Sequence, residues 1–313
     1  MSSLKNNPMK ILITGANGLL GQKLIKQISP NPHLHAVATS KSKCRLPLDW
    51  SGFIYEPMDV CDANLANKVM RKYNPDVVIH AASMTDVDRC EVNHEECYRQ
   101  NVVGTQNILK ACEDIGAHLI FISTDFVFDG KNGPYEENAS TNPINYYGRS
   151  KEQAEAIIKS SNAIWSIVRT NLVYGTAHDL NRSNLVLWVK HALELGKEIQ
   201  LVDDQIRTPT LAEDLAKGCL LIAERKATGV FNISGKDLLT PYDMAVLTAR
   251  YFDLDEELIL KTDSKHFSQV APRPLRTGLI IDKAIQYLGY DPKSFEDGIG
   301  ILTKQFNLAS QKI

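Results

Sequence analysis

The sequence predicts an α/β fold, a doubly wound parallel sheet with a smaller C-terminal domain. Three features carry this reading. Short apolar runs alternate with amphipathic helical stretches through the first half. The runs are apolar on both faces, as strands covered by helices on both sides must be. A glycine-spaced turn, Thr14 to Gly21, joins the first run to the first helical stretch.

Ile11-Leu12-Ile13 reads as the first strand, after a polar tail from Met1 to Pro8 without an apolar signal region. Leu19 to Ile28 follows as a helix stopped by Pro30 and Pro32. His35 to Ala38 and Phe53 to Tyr55 are the next strands. Asn64 to Tyr73 reads as a helix and Val77 to Ile79 as a strand. The pattern predicts one long helix from Val92 to Ile115, a strand at Leu119 to Ile122, a helix from Tyr146 to Lys159 and a strand from Ile164 to Val168. The second half is less regular. Helices are expected over Leu185 to Leu195, Leu211 to Ala223 and Tyr242 to Phe252, with a strand at Phe231 to Ile233. Thr262 to Thr277, holding Pro272 and Pro274, reads as a loop that carries side chains toward a site. Residues 9–175, with roughly 199–235, are expected to form the sheet domain. Roughly 176–198 and 236–313 are expected to form the smaller one.

Composition narrows the function. The 313 residues carry 35 Lys+Arg and 37 Asp+Glu, a net charge of −2, which excludes gripping nucleic acid or anionic lipid by bulk charge. The apolar runs are too short to span a bilayer. Cysteines stand at 44, 61, 90, 97, 112 and 219, with no C-x-x-C pair and no zinc-finger histidines. They read as reduced thiols of a cytoplasmic protein, not as a disulfide frame or a metal site. A homodimer is compatible with the chain.

The turn Thr14-Gly15-Ala16-Asn17-Gly18-Leu19-Leu20-Gly21 suits a dinucleotide. Glycines 15, 18 and 21 permit a tight turn, close backbone approach to a pyrophosphate, and close helix packing. The helix start then offers free N–H groups to phosphate. An NAD site usually carries an acid after the second strand. Here Thr39-Ser40-Lys41-Ser42-Lys43-Cys44-Arg45 has none, and its hydroxyls and cations suit the 2′-phosphate of NADP. The same run would also serve as a solvated basic loop. Asp59, before Val60, is either an adenine contact or, like Asp62, a helix N-cap. Ala81, Ala82 and Ser83 after the fourth strand are small enough for a cofactor to lie against, and His80 reads as a packed strand residue.

The catalytic candidate is Tyr147 with Lys151, four apart on one helix face. Of 11 tyrosines only this one has a Lys at that offset. Ser123-Thr124-Asp125 sits just after the fifth strand, at the carboxyl edge where parallel sheets bind ligands. An ammonium at about 4 Å, in an effective dielectric near 20, stabilises a phenolate by roughly 4 kcal/mol. That would bring the Tyr147 phenol toward neutrality, with Thr124 hydrogen-bonding a carbonyl oxygen.

Together these residues resemble the extended short-chain dehydrogenases/reductases, from Met9 to about Pro292. The resemblance implies a Rossmann-type sheet with a C-terminal substrate domain, a Tyr-Lys pair with a Ser or Thr, and an Asn matched here by Asn101. Within them the chain is most similar to the dTDP-4-dehydrorhamnose reductases. The segments that match are Pro75 to Ala82, Thr85 to Asp88, Ser123 to Gly130, Pro143 to Gly148, Asp204 to Thr210 and Arg273 to Arg276. The resemblance implies NADPH, with NADH the weaker fit, and a nucleotide-sugar substrate. It places Thr85 and Asp125 near substrate or nicotinamide, and gives Asn101 a water-linked proton relay. Arg207, Arg273 and Arg276 are candidates for the substrate diphosphate or for surface ion pairs. Leu172 stands where such reductases often carry Trp. The same signatures occur in the regulatory β subunit of methionine adenosyltransferase, so the alternatives are another sugar reductase or epimerase, or a non-catalytic NADP-binding subunit.

Overall fold

The computed structural model describes residues 7–179, 185–266 and 269–310. Part of the expected polar tail, residues 1–6, lies outside the described residues, as do 180–184 and 267–268.

The large sheet holds seven strands in the order β10-β6-β5-β4-β1-β2-β3. These are β1 (Met9–Thr14), β2 (Leu34–Ser40), β3 (Phe53–Pro57), β4 (Val77–His80), β5 (His118–Thr124), β6 (Trp165–Thr170) and β10 (Gly229–Asn232), all parallel. The order reverses between β1 and β4, which opens a crevice at their carboxyl ends. Helices α1 (Leu19–Ile28) and α8 (Ala212–Arg225) cover one face around Ile11, Ile13, Leu24 and Leu215. Helices α2 (Ala63–Tyr73), α5 (Gly104–Ile115) and α6 (Tyr146–Lys159) cover the other around Leu12, Val78, Ile108 and Ile158. Both faces of each central strand are therefore buried, which is why those strands are unbroken apolar runs.

The expected helix from Val92 to Ile115 is instead broken. It runs as α3 (Val87–Val92), α4 (His94–Tyr98), a π-turn over Arg99–Val103, and α5. Asn93 leaves the helical region at φ −127°, ψ 67°, and its amide bonds the Arg89 carbonyl at 3.3 Å. A short polar side chain that satisfies backbone groups itself competes with the helix ladder.

The C-terminal part holds α7 (Leu185–Glu194), β8 (Ile199–Val202), α9 (Pro241–Tyr251) and β11 (Ile259–Thr262) around Val189, Leu201, Ala245 and Ile259. Two-residue strands β7 (Val173–Tyr174) and β9 (Thr210–Leu211) pair beside it. Helices α10 (Asp282–Leu288) and α11 (Phe295–Ser310) close the chain. Within the span 199–235, β8 pairs with β11, whereas α8 and β10 join the large sheet.

Candidate active site

A cleft of about 2240 Å³ runs across the carboxyl edge of the sheet and under the C-terminal part. The glycine turn forms one wall. Gly15 has φ +70°, and a Cβ there would stand 2.9 Å from the Ala82 nitrogen. A Cβ on Gly21 would stand 2.6 Å from the Gly15 carbonyl oxygen. The first glycine thus serves the turn and the third the packing. The Gly18 cap of α1 makes no side-chain hydrogen bond, so the first N–H groups of the helix beside Leu19 and Leu20 are available to an anion.

Asn17 ties this turn to the loop after β2. Its Nδ2 donates to the Lys43 carbonyl at 2.9 Å and reaches Ser42 Oγ at 3.2 Å, and its Oδ1 accepts the Arg45 N–H at 2.9 Å. Ser40, Lys41 and Arg45 line the cleft. Thr39 does not. Its hydroxyl donates to the Ile13 carbonyl at 3.0 Å, because it points along the sheet. Arg45 Nε is buried without a hydrogen-bond partner. A buried unpartnered guanidinium nitrogen, a cradle that a Cβ would fill, and an open helix start all fit a phosphorylated dinucleotide.

Lys41 Nζ lies 3.3 Å from Asp59 Oδ2. Asp62, not Asp59, caps α2, accepting the Leu65 N–H at 3.0 Å. Burial would raise the Asp59 carboxyl, but the Cys61 N–H and Lys41 hold it below the usual range. Asp59 and Val60 line the cleft beside Ala81, Ala82 and Ser83. His80 is a packed strand residue. Thr14 Oγ1 accepts the Ala82 N–H at 3.1 Å and lies 2.7 Å from His80 Nδ1. The Thr105 hydroxyl donates to the Asn101 carbonyl at 2.7 Å, and its oxygen lies 3.2 Å from His80 Nε2. These partners assign the proton to Nε2, and burial lowers the imidazole to about 3.

Asn145 caps α6, accepting the Gly148 N–H at 2.8 Å, and donates to the Pro272 carbonyl at 2.9 Å. One side chain thus sets both the helix of Tyr147 and the loop of Arg273. Tyr147, Lys151, Thr124 and Asp125 all line the cleft, and all are buried. Thr124 lowers the Tyr147 phenol, against its burial. The expected acidification of that phenol is not present. Burial raises it, with Asp125 adding to the rise, while the Lys151 ammonium rests 4.0 Å over the Phe121 ring centroid. Burial lowers Lys151 to about 7. Desolvation is the largest influence on both groups.

Asn101 is not poised to orient water with its amide. Its Oδ1 accepts the Met84 N–H at 2.8 Å and the Ser83 hydroxyl at 2.9 Å, and its Nδ2 reaches Ser150 Oγ at 2.9 Å. It fastens the loop after β4 to α6. Thr85 lines the cleft. So does Arg207, whose guanidinium donates to the carbonyls of Ile206 and Leu275 at 3.0 and 2.9 Å and stands 4.0 Å from Asp125. Arg273 lines it too, paired with Asp88 at 2.8 and 2.9 Å. Arg276 is exposed and lies outside this cleft, beside a smaller one with Gly133. Gln205 and Asn171 are not among the site residues that the motifs predict. Both line the cleft, and Gln205 Nε2 and Asn171 Oδ1 are buried without partners. Only the Asp204-Gln205-Ile206-Arg207 run offered a signal. Leu172 lines the cleft at φ 36° and is 44% exposed, an apolar surface held in a left-handed backbone.

Comparison with known proteins places the chain in a family and a fold. A family model described as RmlD substrate binding domain matches residues 9–308. Methionine adenosyltransferase 2 subunit beta of Bos taurus is 31% identical over 270 residues, covering 84% of this chain and 78% of that protein. The probable low-salt glycan biosynthesis reductase Agl14 of Haloferax volcanii is 31% identical over 303 residues, covering 96% and 99%. The crystal structure of dTDP-4-dehydrorhamnose reductase from Bacillus anthracis in complex with NADP superposes with a TM-score of 0.81 at 26% identity, covering 95% of this chain and 99% of that one.

Proposed function

Because the chain belongs to the RmlD substrate binding domain family, with the fold of the extended short-chain dehydrogenases/reductases, we propose that it is an NADPH-dependent reductase of a nucleotide-linked 4-keto-6-deoxy sugar. The observation that carries this is the meeting of Tyr147, Thr124 and Lys151 with the glycine turn in one cleft. NADPH, when bound, supplies the hydride. The N–H groups around Gly18 to Gly21 hold its pyrophosphate, and Ser40, Lys41 and Arg45 its 2′-phosphate. Asp59 and Val60 face the adenine. Ala81, Ala82 and Ser83 form a smooth floor for the nicotinamide half, and Lys151 holds the ribose. Thr85, Asp125, Arg207 and Arg273 face the sugar nucleotide.

Tyr147 is the proton donor. A buried phenol with a raised pKa stays protonated at neutral pH. An alkoxide is a far stronger base than a phenolate, so Tyr147 yields its proton once hydride addition makes the carbonyl oxygen basic. Thr124 holds the carbonyl oxygen beside the phenol.

NADPH absorbance, followed with dTDP-4-keto-6-deoxy-L-mannose and its GDP, CDP and UDP counterparts, tests the reading. Loss of absorbance with one of them supports it, and no loss with any refutes it. The similarity to the methionine adenosyltransferase subunit favours a second reading, a cofactor-binding regulatory partner. That reading predicts NADPH binding, no substrate-dependent oxidation, and a stoichiometric enzyme partner in a pull-down.

A further inference from the structure

On the reductase reading, the cleft must recognise the sugar beside the carbonyl that Thr124 and Tyr147 meet. We propose that Asn171 and Gln205 do so by holding the ring hydroxyl at C3 of the 4-keto sugar. Asn171 Oδ1 and Gln205 Nε2 are both buried without a hydrogen-bond partner, and both residues line the cleft. Asn171 is 1% exposed and Gln205 8%. A buried amide that serves only the fold is paired, because leaving part of it unpaired costs free energy. An orphaned donor and an orphaned acceptor in one cleft therefore belong to a ligand.

The other half of each amide is already engaged, which sets its orientation. Asn171 Nδ2 donates to the Thr277 carbonyl at 2.7 Å, so Oδ1 is the free end. Arg207 Nη2 donates to Gln205 Oε1 at 3.4 Å, so Nε2 is the free end. Flipping Asn171 would set acceptor against acceptor, and flipping Gln205 donor against donor. Both side chains are anchored to one assembly. The Thr277 hydroxyl donates to Asp125 Oδ2, and Arg207 Nε stands 4.0 Å from the same oxygen. Strand register gives the same position independently. Thr124, at the end of β5, pairs with Thr170 of β6, and Asn171 is the next residue. The two amides thus belong to the Thr124 end of the cleft, not to the glycine turn.

Chemistry selects the group. A free acceptor does not suit ionised phosphate oxygens, which have no proton to donate. A free donor with a free acceptor suits a hydroxyl, which gives its proton to Asn171 Oδ1 and accepts one from Gln205 Nε2. The carbonyl of a 4-keto-6-deoxy sugar has two neighbours. C5 offers a methyl group and the ring oxygen, neither with a proton to donate. C3 carries a hydroxyl, next to the carbonyl that Thr124 holds.

NADPH oxidation tests this with dTDP-4-keto-6-deoxy-L-mannose, or the GDP, CDP or UDP counterpart that turns over, beside its 3-deoxy and 2-deoxy analogues. Wild type should prefer the parent sugar to the 3-deoxy sugar by about a hundredfold or more in kcat/KM. Gln205→Glu keeps the oxygen that Arg207 holds and removes the free donor. It should lose about tenfold or more with the parent sugar but less than about threefold with the 3-deoxy sugar, so the preference shrinks. Asn171→Ser, which withdraws the free acceptor, should shrink it in the same way. A purely structural role would slow both sugars alike. If Gln205→Glu does not fold, as NADPH titration reports, Gln205→Met carries the same comparison. No preference in wild type, equal losses with the two sugars, or a preference that shrinks only for the 2-deoxy sugar overturns the C3 assignment alone. Wild type that oxidises no NADPH with any of the sugar nucleotides overturns the reductase reading and this subsite with it.

Discussion

Replacing Asn17 by Ala should weaken NADPH far more than NADH. The Asn17 side chain makes two short bonds to the loop after β2, to the Lys43 carbonyl and from the Arg45 N–H, each 2.9 Å long. Longer contacts reach Ser42 Oγ at 3.2 Å and Tyr55 OH at 3.3 Å. A net value of about 1 kcal/mol for each short bond gives about 2 kcal/mol of loop ordering that the variant loses. Ordering restored at the expense of binding corresponds to a loss of about thirtyfold in affinity. The loss falls on whatever the loop holds. On the proposed reading, Ser40, Lys41 and Arg45, which line the cleft, hold the 2′-phosphate that NADH lacks, whereas the glycine turn keeps its bond from Asn17 N–H to Ser40 Oγ at 3.1 Å. NADH affinity should therefore change by less than about threefold, since no phosphate contact is lost. Fluorescence titration with both nucleotides measures this. Equal weakening of the two, or unchanged NADPH binding, would refute the idea that Asn17 orders a 2′-phosphate site.

Tyr147→Phe should leave NADPH affinity within about twofold and cut turnover by about a hundredfold or more, since it removes the proton donor alone. Steady-state rates with the 4-keto sugar check this, and turnover near the wild-type rate would exclude the donor role. Lys41→Ala and Arg45→Ala should each weaken NADPH more than NADH, while Lys43→Ala, whose carbonyl is what the site uses, should weaken neither. A Lys43→Ala effect equal to that of Lys41→Ala would contradict the assignment. His80 is held neutral in the folded chain, with its pKa lowered to about 3. The unfolded chain binds a proton near 6.5. Stability is therefore full above that pH and falls as pH drops toward 3, by up to about 1.4 kcal/mol per pH unit. Urea unfolding between pH 7 and pH 4 should show a smaller slope in His80→Gln than in wild type, and identical slopes would exclude His80 as the source.

The strands and the glycine turn were legible because local pattern determines them. A strand buried on both faces must be an apolar run, as Ile11 to Ile13 and Val77 to Ile79 are. A turn that approaches Ala82 closely must carry Gly15. Tyr147 and Lys151 share a face by helical spacing alone, and both reach the cleft. What failed depended on neighbours distant in sequence. The helix break at Asn93 is the local exception, where the backbone leaves the helical region at φ −127°, ψ 67°. Strands β8 and β11 stabilise each other across a long insertion, and neither reads clearly by itself. Arg276 and Arg273 differ by three positions, yet only Arg273 reaches the cleft. Spacing likewise placed a cation beside the Tyr147 phenol, but burial set the protonation of both groups and moved the phenol the other way. Periodicity and backbone sterics act within a few residues, so sequence alone determines which elements form and which side chains share a face. Desolvation and hydrogen-bond partners come from the whole fold, so only the tertiary structure decided which of those side chains are acids, which are anchors, and which face the ligand.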